Sequence, residues 1–98
     1  MHVLTVCYGH PTDPAAFDAY YTSTHAPLAE KLPGMTSYTY RHTASLDGTP
    51  PPYYLIAELS WPSQEAMGAA LGSPESQAAS ADVPNFATGG VTMFLAYD

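Results

Sequence analysis

Four short runs of β-branched and aromatic residues, separated by proline-capped helical segments in the order βαββαβ, predict an α+β fold of ferredoxin-like type. That pattern is one four-stranded antiparallel sheet with both helices on a single face. The chain has 98 residues, so residues 1–98 are expected to form one domain around one modest core. It is also 46% hydrophobic and only 11% charged. A small self-sufficient surface needs less apolar material than that, and the excess predicts contact with a second copy.

Residues 2 to 8, HVLTVCY, form an apolar run that ends at the turn-rich GHPTDP, as a buried strand does. Asp13 and Pro14 then supply an N-cap and a proline at the first helical position. Phe17, Tyr21, Thr24, Leu28 and Leu32 recur at steps of three and four. They mark the inner face of one helix, which Pro33-Gly34 closes. Tyr20 and His25 fall on the two margins of this face. Pro27 lacks an amide hydrogen, so the Ser23 carbonyl is expected to lose its partner and the helix to bend or open locally.

From Met35 to Thr43 the sequence alternates, with Tyr38, Tyr40 and His42 on one face, which reads as the second strand. ASLDGTPPP is a loop by composition. YYLIAELSW, residues 53 to 61, reads as a third strand with Leu55, Ala57, Leu59 and Trp61 on one side. Tyr54, Ile56 and Glu58 fall on the other. Pro62-Ser63 opens a helix to about Leu71, and Ser73-Pro74-Glu75 opens another to about Ala81. Gly89 and Gly90 release the last strand, VTMFLAY. With both helices on one face, the opposite face would expose Tyr54, Ile56 and Phe94, with Val6 beside them. A second copy packed sheet against sheet would cover it, giving a homodimer.

Composition excludes several classes of function. Lys31 and Arg41 stand against nine acidic residues, for a formal charge of -7, and such a surface repels phosphate backbones and anionic lipid. Neither a nucleic acid nor a membrane is expected as partner. Cys7 is the only cysteine, so no intrachain disulfide can form. The first residues lack the basic flank and long apolar run of a signal peptide, and no segment approaches a membrane span. A cytoplasmic location is the expectation. His2, His10, His25 and His42 are scattered without metal-ligand spacing, and no nucleotide or dinucleotide fingerprint occurs. Neither metal nor cofactor is expected.

The stretch YYTSTHAPL, Tyr20 to Leu28, packs poor helix formers into a helix. One reading of His25 is a core-edge imidazole satisfied by a neighbouring hydroxyl. The other is an acid or base working near neutral pH. Eight tyrosines suit a pocket for a flat, conjugated or phenolic ligand, because rings supply stacking area and phenols fix orientation. A phenol can also donate to an enolate oxygen as charge develops. The aromatic set expected to line such a pocket is Tyr20, Tyr21, Tyr54, Trp61 and Phe86. Glu58 is expected to pair with Arg41 or His42, and Cys7 to be inert packing.

FDAYYTSTHAPLAEKLPGM, followed by SYTY, YYLIAELSW and SPESQAASADVPNFATGG, resembles the EthD family across nearly the whole chain. The strongest element is Tyr20-Tyr21 with Thr24-His25, Pro27-Leu28 and Pro33-Gly34. DVPNFATGG, Asp82 to Gly90, is a second and independent one. The resemblance implies a dimeric α/β barrel of two ferredoxin-like subunits, an architecture shared with small monooxygenases, muconolactone-type isomerases, polyketide cyclases and haem-degrading enzymes. It also implies a cavity between helices and sheet. A methylmuconolactone-type isomerase of this wider group carries a first-helix histidine and a second-strand tyrosine at its site. His25 and Tyr38 are the matching positions. The haem-degrading relatives need a histidine in the second helix, where this chain has SQEAMGAALG.

The resulting expectation is a small cofactor-independent enzyme acting on a compact cyclic or aromatic metabolite by isomerisation, cyclisation or oxygen-dependent oxidation. His25 would be the general acid/base, and Tyr38 would steady negative charge. The alternative is a non-catalytic protein that binds a hydrophobic metabolite for an oxidative pathway.

Overall fold

The strands β1 (His2–Tyr8), β2 (Ser37–His42), β3 (Leu55–Trp61) and β4 (Val91–Tyr97) form one antiparallel sheet in the order β2-β3-β1-β4. They are drawn from a computed structural model that describes all 98 residues. Helices α1 (Pro14–Tyr20) and α2 (Ala26–Ala29), joined by a π turn at Tyr21–His25, cross one face of the sheet. Helices α3 (Gln64–Leu71) and α4 (Pro74–Asp82), with a 3-10 turn at Val83–Asn85, complete that layer. The arrangement is the expected α+β ferredoxin-like fold.

Helix starts follow the capping chemistry of the sequence. The Asp13 carboxylate accepts from the Ala16 amide, the Ser63 hydroxyl from Ala66 and the Ser73 hydroxyl from Ser76. Prolines occupy first-turn positions in α1 and α4, where the missing N–H costs nothing. Register is set by pairs such as Val6 opposite both Ala57 and Met93, and Tyr40 opposite Ala57. Because strand side chains alternate, one face carries Leu4, Val6, Tyr8, Ala57 and Leu59 toward the helices. Phe17, Tyr21, Leu55, Trp61, Met67 and Phe86 close the core beneath them.

Three details depart from the sequence-based expectation. Strand β3 begins at Leu55, not Tyr53. The alternation fails just before it, so Tyr54 turns toward the helices, edge-on to Phe17 and bonded to Asp18. Val6 also faces the helices, since its partner Ala57 does. The opposite face is therefore more polar than expected, with Thr39, Arg41, Glu58 and Thr92 beside Ile56 and Phe94. Arg41 and Glu58 do pair there, at 4.0 Å and largely exposed, a weak interaction. Cys7 is buried, and its thiol pKa is raised by that burial and by Glu58.

The third departure is the helix between Asp13 and Pro33, which is interrupted. In the π turn the Ala26 amide reaches the Tyr21 carbonyl, five residues back. Pro27 offers no amide to restore the normal ladder. The hydroxyls of Thr22 and Ser23 donate instead to the carbonyls of Asp18 and Ala19. One extra residue in the turn rotates everything after it relative to Phe17 and Tyr21. Thr24 is therefore exposed and His25 buried, the reverse of the wheel's placement.

Strand β4 is the outer strand beside β1, and no helix lies over it. Met93 is 59%, Phe94 50% and Leu95 52% exposed. Both faces of this edge are thus apolar and open. No helix in the chain is long and apolar enough to cross a membrane.

Candidate functional site

Between the π turn, α4 and the sheet lies a cavity of about 430 Å³, within the range that takes a small organic ligand. Its walls are chiefly Leu4, Val6, Ala57, Leu59 and Val83, with Met93 and Leu95 at the β4 side. Polar groups come from Tyr8, Tyr21, Tyr38 and His25, and from Ser76 and Ser80 of α4. No lysine, arginine or carboxylate lines it.

His25 is the one imidazole in the wall and is only 5% exposed. Its Nδ1 lies 3.0 Å from Oδ2 of Asp82, at the end of α4. The other oxygen of Asp82 accepts from the Tyr20 hydroxyl and, at 3.1 Å, from the Asn85 amide. Burial pushes the Asp82 pKa up, but the hydrogen bonds from Tyr20, Asn85 and His25 outweigh it and hold the carboxyl below its ordinary value. Burial pushes His25 down, and the pull of Asp82 only partly offsets this.

The pair therefore rests as an ionised carboxylate beside a neutral imidazole. Nδ1 carries the proton and donates it to Asp82, which leaves a lone pair on Nε2. That nitrogen faces the Tyr8 hydroxyl at 3.5 Å, a long hydrogen bond.

The phenols of Tyr21 and Tyr38 meet at 2.7 Å. One O–H is used between them and the other is free to donate. Burial raises all three cavity phenols, with neighbouring phenols adding to it for Tyr8 and Tyr21. Tyr38 is pushed up to about 12. Near neutral pH they are hydrogen-bond donors, not phenolates. The arrangement joins a base of fixed tautomer to a set of phenol donors inside an apolar wall. That combination can take a proton from carbon and hold charge on an adjacent oxygen.

Of the residues singled out from sequence, His25, Tyr38 and Tyr21 meet at this cavity. Tyr20, Tyr54, Trp61 and Phe86 do not line it. Tyr20 lies behind the imidazole on Asp82. Phe86 packs against the His25 ring at 4.6 Å between centroids. Tyr54 donates to Asp18 on the outer side of α1. Trp61 is fully buried, and its indole N–H donates 3.0 Å to the Pro33 carbonyl. Trp61 and Phe86 belong to the buried core, and Tyr20 and Tyr54 pack against it half-buried.

Sequence reasoning missed Tyr8, Asp82 and Ser76. Tyr8 could have been found, since it shares the inward alternation of Leu4 and Val6. Asp82 heads the DVPNFATGG segment, but its contact with His25 spans 57 residues and has no local signal. No group of three or more His, Cys, Asp or Glu converges in a metal-binding arrangement.

Residues 9–90 match the EthD domain. Among curated proteins, an uncharacterized 11.0 kDa protein from the thcB-thcC intergenic region of Rhodococcus erythropolis is 48% identical over 95 residues. The match covers 97% of this chain and 92% of that one. Among solved structures, an ethyl tert-butyl ether degradation family protein from Bacillus halodurans superimposes with TM-score 0.92 at 28% identity, covering 100% and 98% of the two chains. A dimeric ferredoxin-like protein of unknown function from Jannaschia sp. gives 0.71 at 16% identity, covering 100% of both. SnoaB, a cofactor-independent oxygenase from Streptomyces nogalater, gives 0.66 at 18% identity, covering 99% and 90%. These last two share the fold.

Proposed function

The chain belongs to the EthD family, and from that premise we propose that it is a small cofactor-independent enzyme acting on an uncharged cyclic or aromatic metabolite by proton transfer. The observation that carries the reading is the 3.0 Å contact between Nδ1 of His25 and the Asp82 carboxylate. Asp82 holds the proton on Nδ1, so the Nε2 lone pair is kept as a base in an apolar cavity.

In the proposed step Nε2 removes a proton from a carbon next to a carbonyl carbon of the substrate. The electron pair moves into the ring system and settles on oxygen. The phenols of Tyr38 and Tyr8 donate to that oxygen, with Tyr21 fixing Tyr38. Return of the proton to a different carbon completes an isomerisation, whereas attack of the carbanion on a second carbonyl carbon, with the proton delivered to the alkoxide so formed, completes a cyclisation. Where dioxygen is the oxidant, the same carbanion is the electron donor. The fold shared with a cofactor-independent oxygenase is consistent with this.

A homodimer is part of the proposal, supported by the open apolar edge at β4 and by the dimeric neighbour of the same fold. A binding protein without turnover is the second reading. It is favoured by the Tyr8 hydroxyl, which faces Nε2 in place of open space.

The test uses 2-tetralone, a compact bicyclic ketone with acidic C–H bonds. Its hydrogen–deuterium exchange in D2O is followed by proton NMR with wild-type protein and with His25→Gln. Catalysed exchange that falls to background in the variant, at unchanged tetralone affinity, supports the enzyme. Binding without exchange in the wild type supports the carrier. Equal exchange in both proteins overturns the role of His25.

A further inference from the structure

Ser76 is only 8% exposed and lines the cavity, and its backbone amide donates to the Ser73 hydroxyl. Its hydroxyl has no partner within the chain and is reached by solvent from the cavity. Solvent in the cavity satisfies this hydroxyl in the free protein, and a ligand that displaces the solvent must replace the bond or leave the hydroxyl unpaired. An oxygen of the ligand placed at this point would replace it.

Its place in α4 fixes where that ligand atom would lie. Ser76 precedes Asp82 by six residues, about 9 Å along the helix axis, and Asp82 holds His25. Ser76, Ala79, Ser80 and Val83 share the face of α4 that lines the cavity. Ser80, one turn on, is exposed and also lines the cavity. The cavity thus has one polar end at His25 and its phenols. A second polar point, Ser76, lies about 9 Å along α4 from the Asp82 that holds His25, a span comparable to that between the two oxygens of a fused two-ring diol, with Ala79 and Ser80 between them.

Charge narrows the ligand further. The lining has no cation, the carboxylate of Asp82 lies directly behind His25, and the whole chain carries a formal charge of -7. A carboxylate ligand would be desolvated with nothing to pair it.

We propose that Ser76 is a specificity-determining residue that binds a second oxygen of the substrate, and that the substrate class is neutral, flat, fused-ring compounds oxygenated at both ends. The inference rests on the cavity reading above and adds to it the class of molecule. Hydroxynaphthols and hydroxylated bicyclic ketones have this form. Simple hydrocarbons, monophenols and aromatic acids do not.

Calorimetric titration with 2-naphthol, 2-naphthoate and the 1,5-, 2,6- and 2,7-dihydroxynaphthalenes tests it on the wild type, Ser76→Ala and Ser76→Thr. At least one diol should bind about five-fold more tightly than 2-naphthol, the worth of one hydrogen bond. Naphthoate should bind weakest. Ser76→Ala should erase the diol advantage over 2-naphthol, and Ser76→Thr, which keeps the hydroxyl, should retain it. Equal affinity of 2-naphthol and all three diols, or an advantage that survives Ser76→Ala, overturns the role of Ser76 alone. No saturable binding by any probe overturns the cavity reading and this inference together.

Discussion

Replacing Asp82 by asparagine separates the charge of this residue from its shape. The carboxylate accepts three hydrogen bonds, from Tyr20 and Asn85 on one oxygen and from His25 on the other. An amide offers one oxygen and one nitrogen, so it can accept on one side only. Two donors converge on the Tyr20 side against one on the His25 side. The amide oxygen is therefore expected to turn toward Tyr20 and Asn85, and the NH2 group toward His25. Nδ1 must then accept, the imidazole proton moves to Nε2, and the cavity faces a donor where it faced a lone pair. Exchange of 2-tetralone should fall by about 10²–10⁴, the usual worth of general-base catalysis. The lost charge-assisted bonds should cost about 2 kcal/mol, or roughly 10 °C in Tm for a domain of this size. Long-range proton–nitrogen NMR correlations of the ring report which nitrogen is protonated. An unprotonated Nε2 in the variant, with exchange within twofold of wild type, would refute the tautomer argument.

The same pair sets a pH dependence. Burial lowers the folded-state pKa of His25 below its ordinary 6.5. Below that pH the unfolded chain holds more protons than the native one, so stability rises with pH there. The contribution of His25 is present above pH 6.5 and is lost as pH falls through its folded value. Asp82 is also depressed, from 3.8, and adds a second loss in more acidic solution. In Asp82→Asn that acidic loss disappears. The His25 window widens downward, because the carboxylate that held the imidazole up is gone. Urea unfolding at a series of pH values reads both changes.

Three further outcomes are expected. Trp61→Phe should cost about 2 kcal/mol through the lost bond to Pro33 and the void left behind. Ligand titration should give wild-type affinity, since Trp61 does not line the cavity. Gly89→Ala should cost about 3 kcal/mol or more in thermal unfolding, because its Cβ would meet the backbone of Gly9 and His10 with nothing flexible to give way. Phe94→Lys should convert a species of about twice 10.4 kDa into monomer by light scattering, and a monomeric wild type would refute the homodimer.

The fold was legible because each element carries its own local chemistry. Asp13, Ser63 and Ser73 mark helix starts by capping, and the strands alternate or run apolar. Tyr54 was misplaced because period-two reasoning was carried two residues past the real start of β3, into a segment whose backbone no longer pleats. The site was legible only in part. His25 and Tyr38 stood out by residue type and family resemblance. Asp82 and Ser76 lie on a helix with no strong amphipathic pattern, and their roles depend on how α4 docks, which no local spacing records. Trp61, Tyr20 and Phe86 drew attention for their size, and size is also what fills a core.

His25 shows how an apparent error of periodicity can itself mark a site. At 100 degrees per residue it belongs on the helix margin and Thr24 on the inner face, yet the structure exchanges them. The exchange needs one residue more than an α turn accommodates, and YTSTHAP supplies the means. Pro27 withholds the amide that would close the ordinary ladder, and Thr22 and Ser23 satisfy carbonyls with their hydroxyls. A leucine or alanine in those places would favour the regular helix, with His25 left half in solvent. The poor helix formers thus stabilise an irregular turn by making its alternative less favourable. Their cost in helix stability is met by the contacts the turn creates: the Asp82 bond, the Phe86 ring against the imidazole, and the bond between the Tyr21 and Tyr38 phenols. A π turn is therefore expected wherever a relative keeps both the hydroxyl pair and the proline around this histidine. A relative lacking them should present its histidine at the helix margin, outside the cavity.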